Sequence, residues 1–264
     1  MTPTDSLRLQ CTGGVARLTL NRPAAGNSID VALARGLMEA AIQCDEDDAI
    51  RAVLLTAEGR LFCAGGDIQA FTAAGESAPA LLKELTGYLH VALARFARMD
   101  KPLLCAVNGP AAGAGVGLAV LADVVLAARS AHFTLAYSSI GLSPDGGATW
   151  LLPRLLGLRR AQELVLANRR VSAEEAERIG LITRVVDDTL LVAEAQRQAE
   201  QMAAAATRAL GHARRLLLAS FDTSFETHLE AEARAIAELG RSRHFREGIA
   251  AFAAKRKPDF SGPG

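Results

Sequence analysis

Two glycine-studded segments carry residue types able to hold a developing negative charge. They are Phe62-Cys63-Ala64-Gly65-Gly66-Asp67-Ile68 and Asn108-Gly109-Pro110-Ala111-Ala112-Gly113-Ala114-Gly115-Val116-Gly117. Each follows an apolar run that reads as a strand, Ala52–Thr56 and Pro102–Val107, and each leads into a segment that reads as a helix. Helix starts leave backbone N–H groups without intrahelical acceptors, and Gly or Ala keeps side-chain bulk away from them. Two such groups aimed at one point stabilise an oxygen that is gaining charge. The chemistry these loops suit begins with a carbonyl becoming an enolate.

The elements that must position the loops alternate. Gly14–Leu20 reads as a strand ending at the Asn21-Arg22-Pro23 turn, and the spacing of Val31, Ala34, Leu37, Met38, Ala41 and Ile42 predicts a helix over Asp30–Gln43. Arg51–Thr56 is a strand, Pro79–Met99 a long amphipathic helix stopped before Lys101-Pro102, Leu103–Val107 a buried strand and Gly113–Leu121 an apolar helix. Val124–Ala127 and His132–Ala136 read as further strands. From about Asp145 the pattern turns helical. Ser172 and Glu175 form a capping box on a helix closed by Gly180, and Ile182–Val186 is a short strand. Long helical patterns then cover Thr189–Ala206, Arg208–Ala219, Ser224–Gly240 and Arg243–Lys255.

Composition narrows the classes. With 264 residues the chain can bury a substantial core, filled mainly by Ala, Leu and Val because only 5% is aromatic. The 29 basic and 29 acidic residues cancel, giving no electrostatic reason to expect nucleic acid or an anionic membrane. Cys11, Cys44, Cys63 and Cys105 lack metal-type spacing and read as core packing. His212, His228 and His244 have no second His one turn away, and His90 and His132 read as structural or exposed, so no metal site is expected. Met1–Asp5 has no basic run, the C-terminal Ser261-Gly262-Pro263-Gly264 matches no address tag, and no stretch reads as membrane-spanning. The expected setting is cytoplasmic.

In this order the loops resemble the enoyl-CoA hydratase/isomerase (crotonase) family. The matching pieces are Leu20-Asn21-Arg22-Pro23 with Asn27, Gly59 with Phe62–Ile68, Lys101-Pro102 with Ala106–Gly117, and Phe133 through Gly141-Leu142-Ser143-Pro144-Asp145-Gly146-Gly147. Pro144–Arg154, with Gly240–Ser242, Phe245–Gly248 and Ala254–Arg256, is similar to the 1,2-epoxyphenylacetyl-CoA isomerase-like group. The resemblance implies an α/β fold, a spiral of β-β-α units with a C-terminal helical region. The core would span 1–200 and a helical trimerisation region 201–264, in trimers or hexamers.

Carried over by position, the resemblance makes the backbone N–H groups of Gly66 and Ala114 a pair of oxyanion donors. Family hydratases use two glutamates, which would fall at Gly117 and Tyr137; both are absent. Asp145 remains, at a position where isomerase-like members place a catalytic acid. One carboxylate can take a proton at one carbon and return it at another. Asp145 also suits an N-cap on a helix through Thr149–Leu155, and both readings stand at this stage. Coenzyme A, as part of the substrate and not a tightly bound cofactor, would contact Ala64, Asp67 and Ile68, with cations from Arg22 and from Lys255 in the Lys255-Arg256-Lys257 cluster, the cluster meeting the 3′-phosphate within one chain or across a subunit interface. Tyr137 and Leu142 would shape the pocket with Phe71, Leu82 and Leu85, and Tyr137 reads equally as a packing residue.

The expected partner is an acyl-CoA thioester, and the expected reaction is a double-bond shift or epoxide opening beside it. A hydratase and a silent acyl-CoA-binding homologue are the alternatives. A Rossmann reading of Gly113–Gly117 fails because Leu118 stands where GxGxxG needs its third glycine. RNA binding is disfavoured because the first long helix lacks Lys and Asp45-Glu46-Asp47-Asp48 follows it.

Overall fold

The computed structural model describes residues 6–262. The expectation about a leader, which rests on Met1–Asp5, and residues 263 and 264 of the C-terminal run lie outside them. Along the chain come β1 (Leu7–Thr12), β2 (Val15–Leu20), α1 (Val31–Glu46), β3 (Ala52–Ala57), α2 (Ile68–Ala74), α3 (Ala78–Arg98), β4 (Leu103–Val107) and β5 (Ala111–Ala112). Next are α4 (Ala114–Val120), β6 (Val124–Ala128), β7 (His132–Thr134), α5 (Ala148–Leu156), α6 (Leu158–Ala167), β8 (Val171–Ser172), α7 (Ala173–Ile179) and β9 (Arg184–Val186). Four helices finish it: α8 (Leu191–Ala203), α9 (Thr207–Ala219), α10 (Phe225–Leu239) and α11 (Arg243–Ala253).

Six strands form the main sheet in the order β1-β2-β3-β4-β6-β9, parallel except for the β1–β2 hairpin. Strand β4 is buried at every residue and β3 at all but its last, as helix-covered parallel strands require. Gly13 and Gly14, both at positive φ, turn the hairpin. A second sheet, β5-β7-β8, stands apart from the first. Strand β4 is followed by β5 and then α4, and β3 by a bridge from Cys63 to Ala111 and then α2. The chain therefore leaves the main sheet, touches the small one and enters a helix, repeating the expected unit.

Local chemistry explains the helix starts. Asp30 caps α1 by accepting from the Leu33 amide at 2.8 Å, and Ser172 caps α7 from the Glu175 amide at 3.2 Å. The buried Arg214 ties α9 to the core, pairing with Asp123 at 2.7 Å and donating to the Phe96 and Lys101 carbonyls at 2.9 Å. The expected strand His132–Ala136 stops at Thr134, and the strand before Val186 starts only at Arg184. Among the described residues no helix is long and apolar enough to cross a membrane.

Candidate active site

The first glycine loop is held from below by side chains on the Asn21–Asp30 turn. Asn27, fully buried with φ at 55°, accepts from the Arg22 amide and donates to the carbonyls of Glu58 and Leu61, each at 2.8 Å. The Ile29 amide donates to the Gly65 carbonyl at 2.7 Å, and the Asp67 amide donates to the Ile29 carbonyl at 3.1 Å. In a parallel bridge of this kind, successive residues face opposite edges. Gly65 and Asp67 spend their bonds on Ile29, so the Gly66 N–H turns the other way.

The second loop lies directly against the first. Phe62 donates to the Pro110 carbonyl at 3.0 Å, and Ala112 donates to the Cys63 carbonyl at 2.8 Å. A Cβ on Gly65 would stand 2.9 Å from the Ala112 carbonyl oxygen, and one on Gly115 would stand 2.6 Å from the Cys63 oxygen. Only glycine permits that approach. The Gly113 amide donates to Thr134 at 3.0 Å, and Ala114 then opens α4. Among the described residues, neither the Gly66 nor the Ala114 N–H donates to a protein acceptor. Both are free for a ligand oxygen.

The carboxylate stands beside them. Gly146 approaches Ala114 so closely that a Cβ on it would lie 3.7 Å from the Ala114 carbonyl oxygen. The adjoining Asp145 accepts a hydrogen bond from the Tyr137 hydroxyl at 2.5 Å. Tyr137 is 9% exposed, and a Cβ on Gly113 would lie 4.0 Å from its ring. Burial, reinforced by the Asp145 charge, raises the Tyr137 pKa, so the phenol stays a proton donor. The N-cap of α5 is Gly147, with no side-chain cap, which corrects the capping alternative for Asp145. The Asp145 carboxylate instead points to Tyr137.

The structure thus brings Gly66, Ala114, Tyr137 and Asp145 together. Leu142 lies partly buried behind them, its amide on the Tyr137 carbonyl at 3.1 Å. Phe71 edges Gly66 so tightly that a Cβ there would come within 2.7 Å of the ring. Ala64 and Ile68 are exposed on the outer side of the loop. Burial pushes the Cys63 thiol up to about 12, leaving it no nucleophile despite its place in the loop.

Of the two expected cations, Arg22 is engaged within the loop. The Arg22 guanidinium lies between Asp67 at 3.0 Å and Asp30 at 3.1 Å and also donates to the Ser28 carbonyl, so its charge is neutralised inside the loop. Asp67 is equally committed, accepting from the Ala70 amide at 3.1 Å as the cap of α2. Its burial opposes ionisation, but the Ala70 amide, Arg22 and Ser28 outweigh that and hold its carboxyl below the usual range.

Lys255 follows α11. Among the described residues, no hydrogen bond or ion pair joins it to the Ala64–Ile68 loop.

His90, read as structural or exposed, is exposed on α3, and its Nε2 lies 3.4 Å from the Gly146 amide, with the geometry of an acceptor. Only the tertiary fold places it there, since 56 residues separate the two. Among the described residues, no three His, Cys, Asp or Glu side chains gather to hold a metal ion.

Comparison with known proteins points the same way. The family described as enoyl-CoA hydratase/isomerase matches residues 10–263. The 1,2-epoxyphenylacetyl-CoA isomerase of Escherichia coli (strain K12) is 43% identical over 94% of this chain and 95% of its own. A protein named as an enoyl-CoA hydratase in Rhodobacter capsulatus is 39% identical over 97% of this chain and 98% of its own. The crystal structure of an enoyl-CoA hydratase from Polaromonas sp. JS666 superimposes with a TM-score of 0.91 at 34% identity, covering 96% of this chain and 98% of that one. Relatives with both activities in their names share the fold and nearly the full length, and on that ground the chain belongs to the enoyl-CoA hydratase/isomerase family, whose members act on acyl-CoA thioesters.

Proposed function

We propose that this chain is an acyl-CoA isomerase, shifting a double bond or opening an epoxide next to a CoA thioester. The thioester oxygen accepts from the Gly66 and Ala114 amides. Asp145 takes a proton from the carbon beside the carbonyl, and the C–H electrons move into an enolate whose charge the two amides hold. In the double-bond shift, Asp145 returns that proton at the far end of the dienolate and the carbonyl reforms. No atom is gained or lost, and one acid serves both transfers. Tyr137 donates to the same carboxylate and fixes its direction.

The observation that carries this reading is the surroundings of Gly117. A Cβ there would lie 2.5 Å from the Gly146 carbonyl oxygen, so no side chain enters from α4 without displacing the turn that carries Asp145. Water addition needs a second acid–base group, each worth about two to four orders of magnitude. Among the described residues the site offers one carboxylate free of an ion pair, Asp145, which favours isomerisation over hydration. The relative named as an epoxyphenylacetyl-CoA isomerase supports the same side.

CoA enters as part of the substrate, with Ala64 and Ile68 offering an exposed cradle and the Asp67 carboxylate turned inward. The proposed cation from Lys255 comes across a subunit interface of a trimer or hexamer.

The test is Asp145→Asn. Turnover of a 3-enoyl-CoA, followed as the conjugated thioester band appears, is expected to fall at least a hundredfold, with acyl-CoA binding kept within threefold. Wild-type turnover in the variant removes Asp145 from the mechanism. Loss of the crotonyl-CoA band on the wild-type protein would mark a hydratase. Binding without turnover across a panel of acyl-CoAs would mark a silent homologue.

A further inference from the structure

The turn that carries Asp145 has little stiffness of its own. Gly146 and Gly147 follow the acid, both at positive φ, 60° and 76°, a region that glycine enters and leaves without strain. Tyr137 holds the carboxylate, and the Ala148 amide donates to the Asp145 carbonyl at 3.1 Å. The peptide between Asp145 and Gly146 remains, and its orientation sets where the acid points. Gly146 is buried, and its carbonyl oxygen lies where a Gly117 side chain would stand. Among the described residues its amide has one acceptor, Nε2 of His90 at 3.4 Å.

A backbone N–H can only donate, so the ring nitrogen facing it offers a lone pair. The bond selects the neutral tautomer with its proton on Nδ1. We propose that His90 in this tautomer is a positioning residue for Asp145, holding the Gly146 amide and through it the aim of the carboxylate, a role that rests on the isomerase function above. His90 carries no substrate proton itself. A second proton on the ring would set Nε2–H against the Gly146 N–H, two donors without an acceptor, and the turn would be released.

Charged groups come near the ring from each neighbouring element. Its own helix brings Arg98, which has no ion pair among the described residues, and the turn after α4 brings Asp123, paired with Arg214 of α9 at 2.7 Å. Arg215 of α9 pairs with Asp100, and Asp222 after α9 pairs with Arg154 of α5 at 3.5 Å. Arg98 and Asp145 are left, of opposite sign, so no net charge selects the protonated ring.

The test sets His90→Leu, which has no acceptor, beside His90→Gln, whose amide oxygen reaches the place of Nε2 and does not titrate. With a 3-enoyl-CoA, His90→Leu is expected to lower kcat at least about tenfold with KM within about threefold, and His90→Gln to bring kcat back within about threefold of wild type. Added to Asp145→Asn, His90→Leu is expected to cost less than about twofold more, because it acts through that acid. Wild-type kcat is expected to fall as the pH drops through the imidazole range, about pH 8 to 5, and His90→Gln to lack that limb. Nitrogen-15 NMR of the wild type at about pH 8, with the ring assigned by its absence from His90→Gln, is expected to show a proton on Nδ1 and none on Nε2. That readout needs neither turnover nor a folded Leu variant. A proton on Nε2 overturns the proposal, as does wild-type turnover in His90→Leu. So does an equal loss in both variants, which would make the imidazole a proton carrier, or a loss confined to KM, which would make it a binding residue. An unprotonated Nε2 in a protein that isomerises no acyl-CoA removes the isomerase reading, and the positioning role with it, while the contact stands. A protonated Nε2 in an active isomerase removes the positioning role alone.

Discussion

At the scale of single residues, the site depends on side chains that position its other groups. Tyr137 fixes the carboxylate of Asp145 through one short bond from a buried ring. Tyr137→Phe keeps the ring and deletes that bond, and hydrogen bonds to charged groups contribute about 1.5–3 kcal/mol. The variant is expected to lose about tenfold or more in kcat, with KM changing less than threefold, in steady-state isomerisation. Arg22 plays the matching part on the other side. Its pairs with Asp67 and Asp30 stiffen the turn that aims the Gly66 amide. Removing it by Arg22→Ala is expected to cost about 2 kcal/mol at pH 7 in urea unfolding. Because the folded Asp67 carboxyl sits below its unfolded value, its contribution is full above that value and is lost as the pH falls through the folded one. The gap between variant and wild type is therefore expected to hold above about pH 4 and to narrow in more acid solution. A gap that widens in acid would show that Arg22 acts elsewhere.

Elements decide how close these residues come. Helix α4 meets the Asp145 turn with no space at Gly117, where even a methyl group would strike the Gly146 oxygen. Gly117→Glu therefore restores a hydratase-like residue only on paper. It is expected to lower the melting temperature by several degrees, since overpacking costs about 1–3 kcal/mol. It is also expected to cut isomerase turnover at least tenfold without any hydration of crotonyl-CoA, and a gain of hydration would overturn the packing argument.

The strands and helices that frame this contact were largely legible, because β3 and β4 are buried runs and α3 has a clear apolar stripe. Strand β1 was not, although Leu7, Leu9 and Cys11 alternate with Arg8, Gln10 and Thr12; it is an edge strand of which only Leu7 is buried. The two-residue strands β5 and β8 exist only through tertiary pairing. Helix α6 went unread although its buried residues Ala161 and Leu164 lie one turn apart. At the site, the loop glycines were readable from residue type and order, whereas Asp145 stood out only through the family resemblance. The Arg22–Asp67 pair, the Tyr137–Asp145 bond and the place of His90 were not, because each joins positions that only the fold brings near.

Across the whole molecule, the apolar side chains left in solvent gather toward the C-terminal end. Leu217, Phe225, Ile236 and Phe252 are 70%, 72%, 74% and 85% exposed, on α9, α10 and α11. Apolar exposure of this kind marks a surface that another protein covers. The formal charge is zero, so nothing long-range keeps copies apart. The proposed cover is the same region of further copies, giving a trimer or hexamer of the 27.7 kDa chain. Light scattering is expected to give three or six times that mass. The double variant Ile236→Asp, Phe252→Asp is expected to shift it toward one chain, because charges at a desolvated contact are costly. The same variant tests the place of Lys255, which follows α11. If Lys255 meets the CoA phosphates from a neighbour, Lys255→Glu weakens CoA binding in the assembled protein and changes nothing in the dissociated one. An equal effect of Lys255→Glu in both backgrounds would mean that the cation acts within its own subunit, and the interface account of CoA binding would fail.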